Sequence, residues 1–209
     1  MNTVAENVAA SLLKIKAIKL EPEHPFTWAS GWKSPIYCDN RKTLSYPDVR
    51  DYIRDQFVNV IKENYPDVEV IAGVATGAIA QGVLVAQALN LPFVYVRSSA
   101  KSHGLENLIE GDFKSGSKVV VIEDLISTGG SSLQAVEALR NAGGKVLGMV
   151  AIFTYGFQKA IDNFEKAACA LTTLSNYNSM IDLAFKTGYI KEEDVNKLKE
   201  WRKSPETYK

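Results

Sequence analysis

Short β-branched and aliphatic runs alternate along this chain with segments whose apolar positions recur every three or four residues. Val4, Val8, Leu12 and Ile15 predict an amphipathic helix from Thr3 to about Lys16. From Phe26 to Lys42, aromatic residues alternate with small ones around Ser30-Gly31, which reads as a short hairpin followed by an extended segment. Ser45-Tyr46-Pro47-Asp48 has the form of a capping box with proline at N1. It should open a helix to about Asn64, with Val49, Ile53, Phe57 and Val60 inward. A strand and loop over Val68–Gly77, a small-residue helix over Ala78–Asn90 and a strand over Leu91–Arg97 follow. Val119–Ile122 is a β-branched run too short for a helix and suited to a buried parallel strand. From Ser132 the period changes: Leu133, Val136 and Leu139 mark a helix that Gly143-Gly144 ends. Lys145–Tyr155 is another buried strand, followed by a helix over Gln158–Ala167 and a short strand over Cys169–Ser175. Met180, Leu183 and Ala184 mark one further helix, and Val195, Leu198 and Trp201 a last one, with a fraying polar tail after Arg202. Alternating strands and helices define an α/β class with a parallel sheet.

Composition narrows what such a sheet serves. A chain of 209 residues fits one domain with a proper core. Lysine plus arginine is 24 and aspartate plus glutamate is 24, so charge gives no case for nucleic-acid binding. Cys38 and Cys169 form neither a metal-spaced cluster nor a disulfide framework. The N-terminal stretch lacks the basic start and apolar core of a secretion signal, and no apolar run reaches membrane-spanning length. The expected location is the cytoplasm, with no membrane partner.

The candidate chemistry centres on Lys118–Ser132. The strand ends at two adjacent carboxylates, Glu123 and Asp124, then Ser127-Thr128-Gly129-Gly130-Ser131 leads into the helix. Open α/β sheets bind ligands at the carboxyl ends of their strands. Backbone N–H groups of such a loop and the positive helix end would hold an anion, most plausibly a phosphate. Two carboxylates cannot face that phosphate without repulsion; they fit ribose hydroxyls or a metal ion beside it. The plainer alternative is a strand-to-helix turn with two solvated charges. No Gly-Lys-Ser/Thr follows, and no Gly-x-Gly-x-x-Gly fingerprint is present. Phe26, Trp28, Trp32 and Tyr37 serve either as core or as a lid over a flat ligand. Arg97, Lys101 and His103 place three cations in a long polar segment that reaches about Gly116, with Gly104 as a hinge.

Val119–Ser131 resembles the phosphoribosyl pyrophosphate (PRPP) signature of type I phosphoribosyltransferases. The pattern Phe-Thr-x-x-Ser-Gly-x-Lys-Ser-Pro at Phe26–Pro35 and the Arg97-x-x-x-Lys101-x-His103-Gly104 loop resemble one branch, the orotate phosphoribosyltransferases. The resemblance implies a central, mainly parallel sheet flanked by helices with a small N-terminal hood. It implies one domain over 1–209: hood mainly 1–42, PRPP-binding core about 43–175, C-terminal helices 176–209. It implies transfer of the phosphoribosyl group from PRPP to orotate with Mg²⁺, held mainly through PRPP and by Asp124 as its protein candidate. Lys101, His103 and Asp124 take the catalytic roles. Arg97, Lys101, His103 and the run Glu123, Asp124, Leu125, Ile126, Ser127, Thr128, Gly129, Gly130 and Ser131 bind PRPP. Ser127 and Tyr37 contact orotate. A homodimer with shared sites is implied as well. The sequence departs from some family members at Ser98 and Ser99 and in the Gly73–Gly77 loop, where they carry lysines. It also departs at Thr154-Tyr155, where some carry an arginine for the orotate carboxylate. The alternatives are a purine as the accepting base, a PRPP-sensing regulator without catalysis, and an unrelated nucleotide-binding α/β protein.

Overall fold

The computed structural model describes residues 3–28, 31–98, 108–206 and 208. Helix α1 (Val4–Lys14) starts at a capping box in which Thr3 and Glu6 exchange hydrogen bonds. Strand β1 (Ile18–Leu20) leads to the two-residue strands β2 (Phe26–Thr27) and β3 (Lys33–Ser34), which pair antiparallel. Strand β4 (Ile36–Cys38) returns antiparallel to β1. A 3₁₀ turn over Asn40–Ser45 then delivers the chain to α2 (Pro47–Asn64). The predicted capping box at Ser45 does not form: the 3₁₀ turn takes up Ser45 and moves the N-cap to Tyr46, which makes no side-chain cap. Pro47 still opens the helix. Its buried face is Ile53, Phe57, Val58 and Ile61, whereas Val49 and Val60 are half-buried at its edges.

The rest is the main sheet and its covering helices. Strand β5 (Val70–Val74), α3 (Ile79–Leu89), β6 (Phe93–Val96), β7 (Ile109–Glu110), β8 (Lys118–Ile126) and α4 (Gly130–Asn141) come first. Strand β9 (Lys145–Thr154), α5 (Gln158–Lys166), β10 (Leu171–Asn176), α6 (Tyr177–Lys186) and α7 (Glu192–Lys203) complete it. The order is β10-β9-β8-β5-β6-β7, parallel throughout except β7, which runs antiparallel to β6. Strand β8 sits inside and alternates its apolar residues between two cores. Val120 and Ile122 join the core holding Phe57 and Val85, while Val119 and Val121 join the one holding Val136, Leu139 and Phe164. Burying each such side chain is worth about 1.5–3 kcal/mol, so the central strand is fixed from both faces.

After β5 the chain steps to one side, through β6 and β7, and after β8 to the other, through β9 and β10. The adjacent carboxyl ends of β5 and β8 therefore form the switch point where an open α/β sheet leaves a crevice. Helix α7 and the segment after it are not a loose tail: Trp201 and Pro205 are buried, and the Tyr208 hydroxyl donates to the Pro22 carbonyl at 3.5 Å. Among the described residues no helix is long and apolar enough to cross a membrane.

Candidate active site

The two loops at the switch point meet at Asp124. Gly77, in the loop after β5, packs so close that a Cβ there would overlap the Asp124 carboxylate. That contact explains why no larger residue stands at Gly77. The Ala75–Thr76 peptide of the same loop is cis. Strand β8 does not stop at the acidic pair. It runs to Ile126, because β9 keeps pairing with it as far as Ile126 opposite Thr154. The pair therefore lies within a strand, and its two side chains point to opposite faces.

Glu123 turns inward. It is 5% exposed; one carboxyl oxygen accepts the Asp124 N–H at 2.8 Å and the other accepts the Ser132 hydroxyl at 2.7 Å. Burial, reinforced by the charge of Asp124, pushes its pKa up to about 8. It holds the first turn of α4 to the central strand. Asp124 is half-buried in the crevice, and burial raises its pKa also, opposed by its hydrogen bonds and by the nearby Arg41 guanidinium. The Asn40 side-chain amide donates to the Asp124 carbonyl at 2.6 Å, and Asn40 is itself 2% exposed. The stretch after β4 is thereby tied to the site.

The glycine loop is backbone-built. Gly129 caps α4 at φ +79°, and a Cβ there would stand 2.7 Å from the Phe164 ring, so both conformation and space require glycine. The Asn163 side-chain amide donates to the Thr128 carbonyl at 2.9 Å, bracing the loop from α5. Helix α4 begins at Gly130, two residues earlier than the apolar periodicity indicated, and Leu133 makes the first bond back, to Gly129, at 2.9 Å. The amides of Gly130, Ser131 and Ser132 thus precede the first intrahelical bond and sit at the positive end of the helix. Such an end suits an anion.

Two cavities flank this loop. One, of about 220 Å³, runs between Ala75, Ser131 and Gln134 and the strand end carrying Arg97 and Ser98. Arg97 reaches Glu110 at 3.4 Å. The other, of about 270 Å³, has Trp28, Tyr37 and Tyr155 as aromatic walls. Thr27, Cys38, Leu125 and Ser127 complete its lining. Trp28 performs both roles left open by its sequence: it packs on Tyr155 at 5.3 Å and edge-on to buried Trp201 at 5.7 Å, and it also faces the cavity. Burial pushes the Cys38 thiol and the Tyr155 phenol well up, so both stay neutral in the cavity wall.

Of the residues singled out by sequence, Asp124, Leu125, Ser127, Thr128, Gly129, Gly130, Ser131, Tyr37 and Arg97 gather around these two cavities and their shared loop. Glu123 bonds to the helix instead, and Ile126 is wholly buried, offering its carbonyl to the Tyr155 N–H at 3.1 Å. Lys101, His103 and Ser99 lie outside the described residues. Asn40, Arg41, Ser132 and Asn163 escaped the sequence reading; their only signal is contact across 84, 9 or 35 residues for the hydrogen-bonded ones.

A crevice at the switch point, with a glycine loop on a helix end and a carboxylate beside it, is the site plan of the phosphoribosyltransferase class. The phosphoribosyl transferase domain pattern matches residues 43–186. The chain is 64% identical to an orotate phosphoribosyltransferase of Porphyromonas gingivalis, over 100% of this chain and 99% of that one. The crystal structure of an Aeropyrum pernix orotate phosphoribosyltransferase superposes with a TM-score of 0.76 at 27% identity, covering 88% of this chain and 99% of that one. The Leishmania donovani UMP synthase structure gives a TM-score of 0.79 at 24% identity, covering 95% of this chain and 42% of that one, a likeness of fold. The chain belongs to the orotate phosphoribosyltransferase family.

Proposed function

We propose that the chain transfers the 5-phosphoribosyl group from PRPP to orotate, giving orotidine 5′-phosphate and diphosphate, a step of pyrimidine synthesis. The observation that carries this reading is the sharing of Ser127 between the anion-binding loop and the aromatic cavity, with Asp124 three residues before it near the end of β8. A phosphate on the loop and a flat ring in the cavity would bracket one ribose between them. The ring nitrogen of orotate attacks C1 as the C1–O bond to diphosphate breaks, with inversion through an oxocarbenium-like state. Orotate is already an anion, so the protein's work is positioning and charge stabilisation rather than strong base catalysis.

In this reading the loop from Ser127 to Ser131 anchors the 5-phosphate. Asp124 orients the ribose hydroxyls and shares the positive charge developing on the ring. Glu123 acts through Asp124 and Ser132. Arg97, Lys101 and His103 face the departing diphosphate. Among the described residues no group of three or more His, Cys, Asp or Glu could hold a metal ion. One carboxylate beside phosphate oxygens is nevertheless the donor set Mg²⁺ accepts, since it keeps several waters and takes few protein ligands. Asp124 would be that ligand, and the ion would neutralise charge on the diphosphate.

The hood over 1–42, the core over 43–175, the C-terminal helices over 176–209, a cytoplasmic location and a homodimer with shared sites belong to the same proposal. Orotate with PRPP and Mg²⁺ should lose the orotate absorbance and release diphosphate, while adenine and hypoxanthine stay unreacted. Turnover of a purine without turnover of orotate would contradict the assignment. Lys101→Ala and Asp124→Asn chains, each inactive alone, should regain activity when mixed if sites are shared. No recovery after confirmed subunit exchange would leave each chain serving its own site.

A further inference from the structure

The aromatic cavity poses a charge problem. Orotate differs from uracil by a carboxylate, and a carboxylate moved into an apolar cleft needs a cation or a full set of donors. None of the residues lining the cavity is cationic; its polar side-chain groups are the hydroxyls of Thr27, Tyr37, Ser127 and Tyr155, the thiol of Cys38 and the Trp28 indole N–H, which donates to the Ile36 carbonyl at 3.2 Å. Buried Tyr155, which follows β9, adds a ring and a hydroxyl to the wall rather than a charge.

The short hairpin supplies a candidate. In its register Thr27 lies directly opposite Lys33, so the two side chains share one face of the ribbon. The Lys33 ammonium donates to the Thr27 hydroxyl at 2.7 Å, and Thr27 lines the cavity. Among the described residues Lys33 has no carboxylate partner. Two other cations near the site differ in this respect. Arg41 is paired to Asp39 at 2.7 Å and Arg97 to Glu110 at 3.4 Å. Arg202 lines a separate cavity with Trp32 and Lys159. Lys33 is therefore a tethered, uncompensated positive charge at the cavity wall.

We propose that Lys33 receives the carboxylate of orotate and that Thr27 aims it, making the hairpin the element that selects a carboxylated pyrimidine. This rests on the functional reading above and adds a specificity residue to it. An ammonium has three donors, so the bond to Thr27 leaves two for the ligand. A charge-assisted hydrogen bond is about twice as strong as a neutral one. The carboxylate of orotate lies beside the nitrogen that attacks C1, so holding it also orients the nucleophile.

The test compares Lys33→Ala and Lys33→Arg with the wild-type chain, using orotate and uracil. Uracil serves as a second substrate or, where its turnover is too slow, as an inhibitor competing with orotate. Removing Lys33 should raise the KM for orotate about 10–100-fold, the range for one charged contact. The KM for PRPP and the constant for uracil should stay unchanged, and Lys33→Arg should restore part of the loss. The Lys33 side chain is exposed and its carbonyl, which accepts the Trp201 indole N–H at 3.2 Å, survives substitution, so the melting temperature should hold. An unchanged KM for orotate would overturn the proposal, as would an equal loss for orotate and uracil, or a loss confined to PRPP. A wild-type chain inert toward orotate but active on another base would overturn the functional reading itself.

Discussion

The two halves of the proposed site, one for phosphate and one for the base, are made in different ways. The phosphate half is backbone: a glycine at positive φ, the first turn of α4, and a central strand buried on both faces. The base half is side chain: aromatic walls drawn from β4, the segment after β2 and the end of β9, supported from behind by Trp201 of α7. The first is tied into the largest elements of the fold. The second draws most of its wall from two- and three-residue strands and the residue after one of them. A half built from backbone can hold any phosphate and does not discriminate, whereas a half built from side chains can change its ligand by changing residues. Under the proposed function this geometry would separate what anchors from what selects.

Breaking this division at its centre should cost most. Asp124→Asn keeps shape and removes the charge proposed to stand beside the ribose, and kcat should fall by about 10²-fold or more, the scale of one preorganised electrostatic contact. Near-normal turnover with an unchanged melting temperature would make the acidic pair structural.

The next effect is on the base half. Trp201 is 1% exposed and touches Trp28, Tyr155, Phe157 and Tyr177. Trp201→Ala should lose about 3–5 kcal/mol in denaturant unfolding, the usual cost of emptying an aromatic core position.

Gly129→Ala should lose less, about 1–3 kcal/mol, because it forces a side chain into the left-handed region and against Phe164.

The last effect concerns pH. Glu123 goes from an ordinary value of 4.5 to about 8 on folding. Between those values the folded chain keeps a proton that the unfolded chain has released. Its contribution is therefore fully present below about pH 4.5 and lost as pH rises toward about 8. Glu123→Gln should flatten that part of the melting-temperature profile; an unaltered slope would assign it to other groups.

The phosphate half was legible in the sequence for the same reason that it is robust. A β-branched run, an acidic pair, small residues and a change of period are local signals, and β8–α4 follows them within two residues at the helix start. The signals misplaced the strand's end because pairing with β9, not local propensity, carries it to Ile126. Strand β7 lies within the polar segment before Gly116 and carries no signal of its own, since two residues have no period and their ladder partner is β6. The base half was half legible: its aromatics stood out, but their support did not. Trp28 and Trp201 are far apart in the chain, and Asn40 reaches Asp124 across 84 positions. The segment after Arg202 reads as polar, yet Pro205 is buried and Tyr208 packs on the core, contacts that no window of sequence contains.

The measurement that tests the division most directly is a crossed pair of Michaelis constants on the two structural variants. Gly129→Ala should raise the KM for PRPP by about tenfold, the equivalent of about 1.4 kcal/mol, and leave that for orotate near wild type. Trp201→Ala, assayed well below its melting temperature, should do the reverse, raising the KM for orotate and sparing that for PRPP. If both variants raise both constants in the same proportion, anchoring and selection are not separate and the account fails.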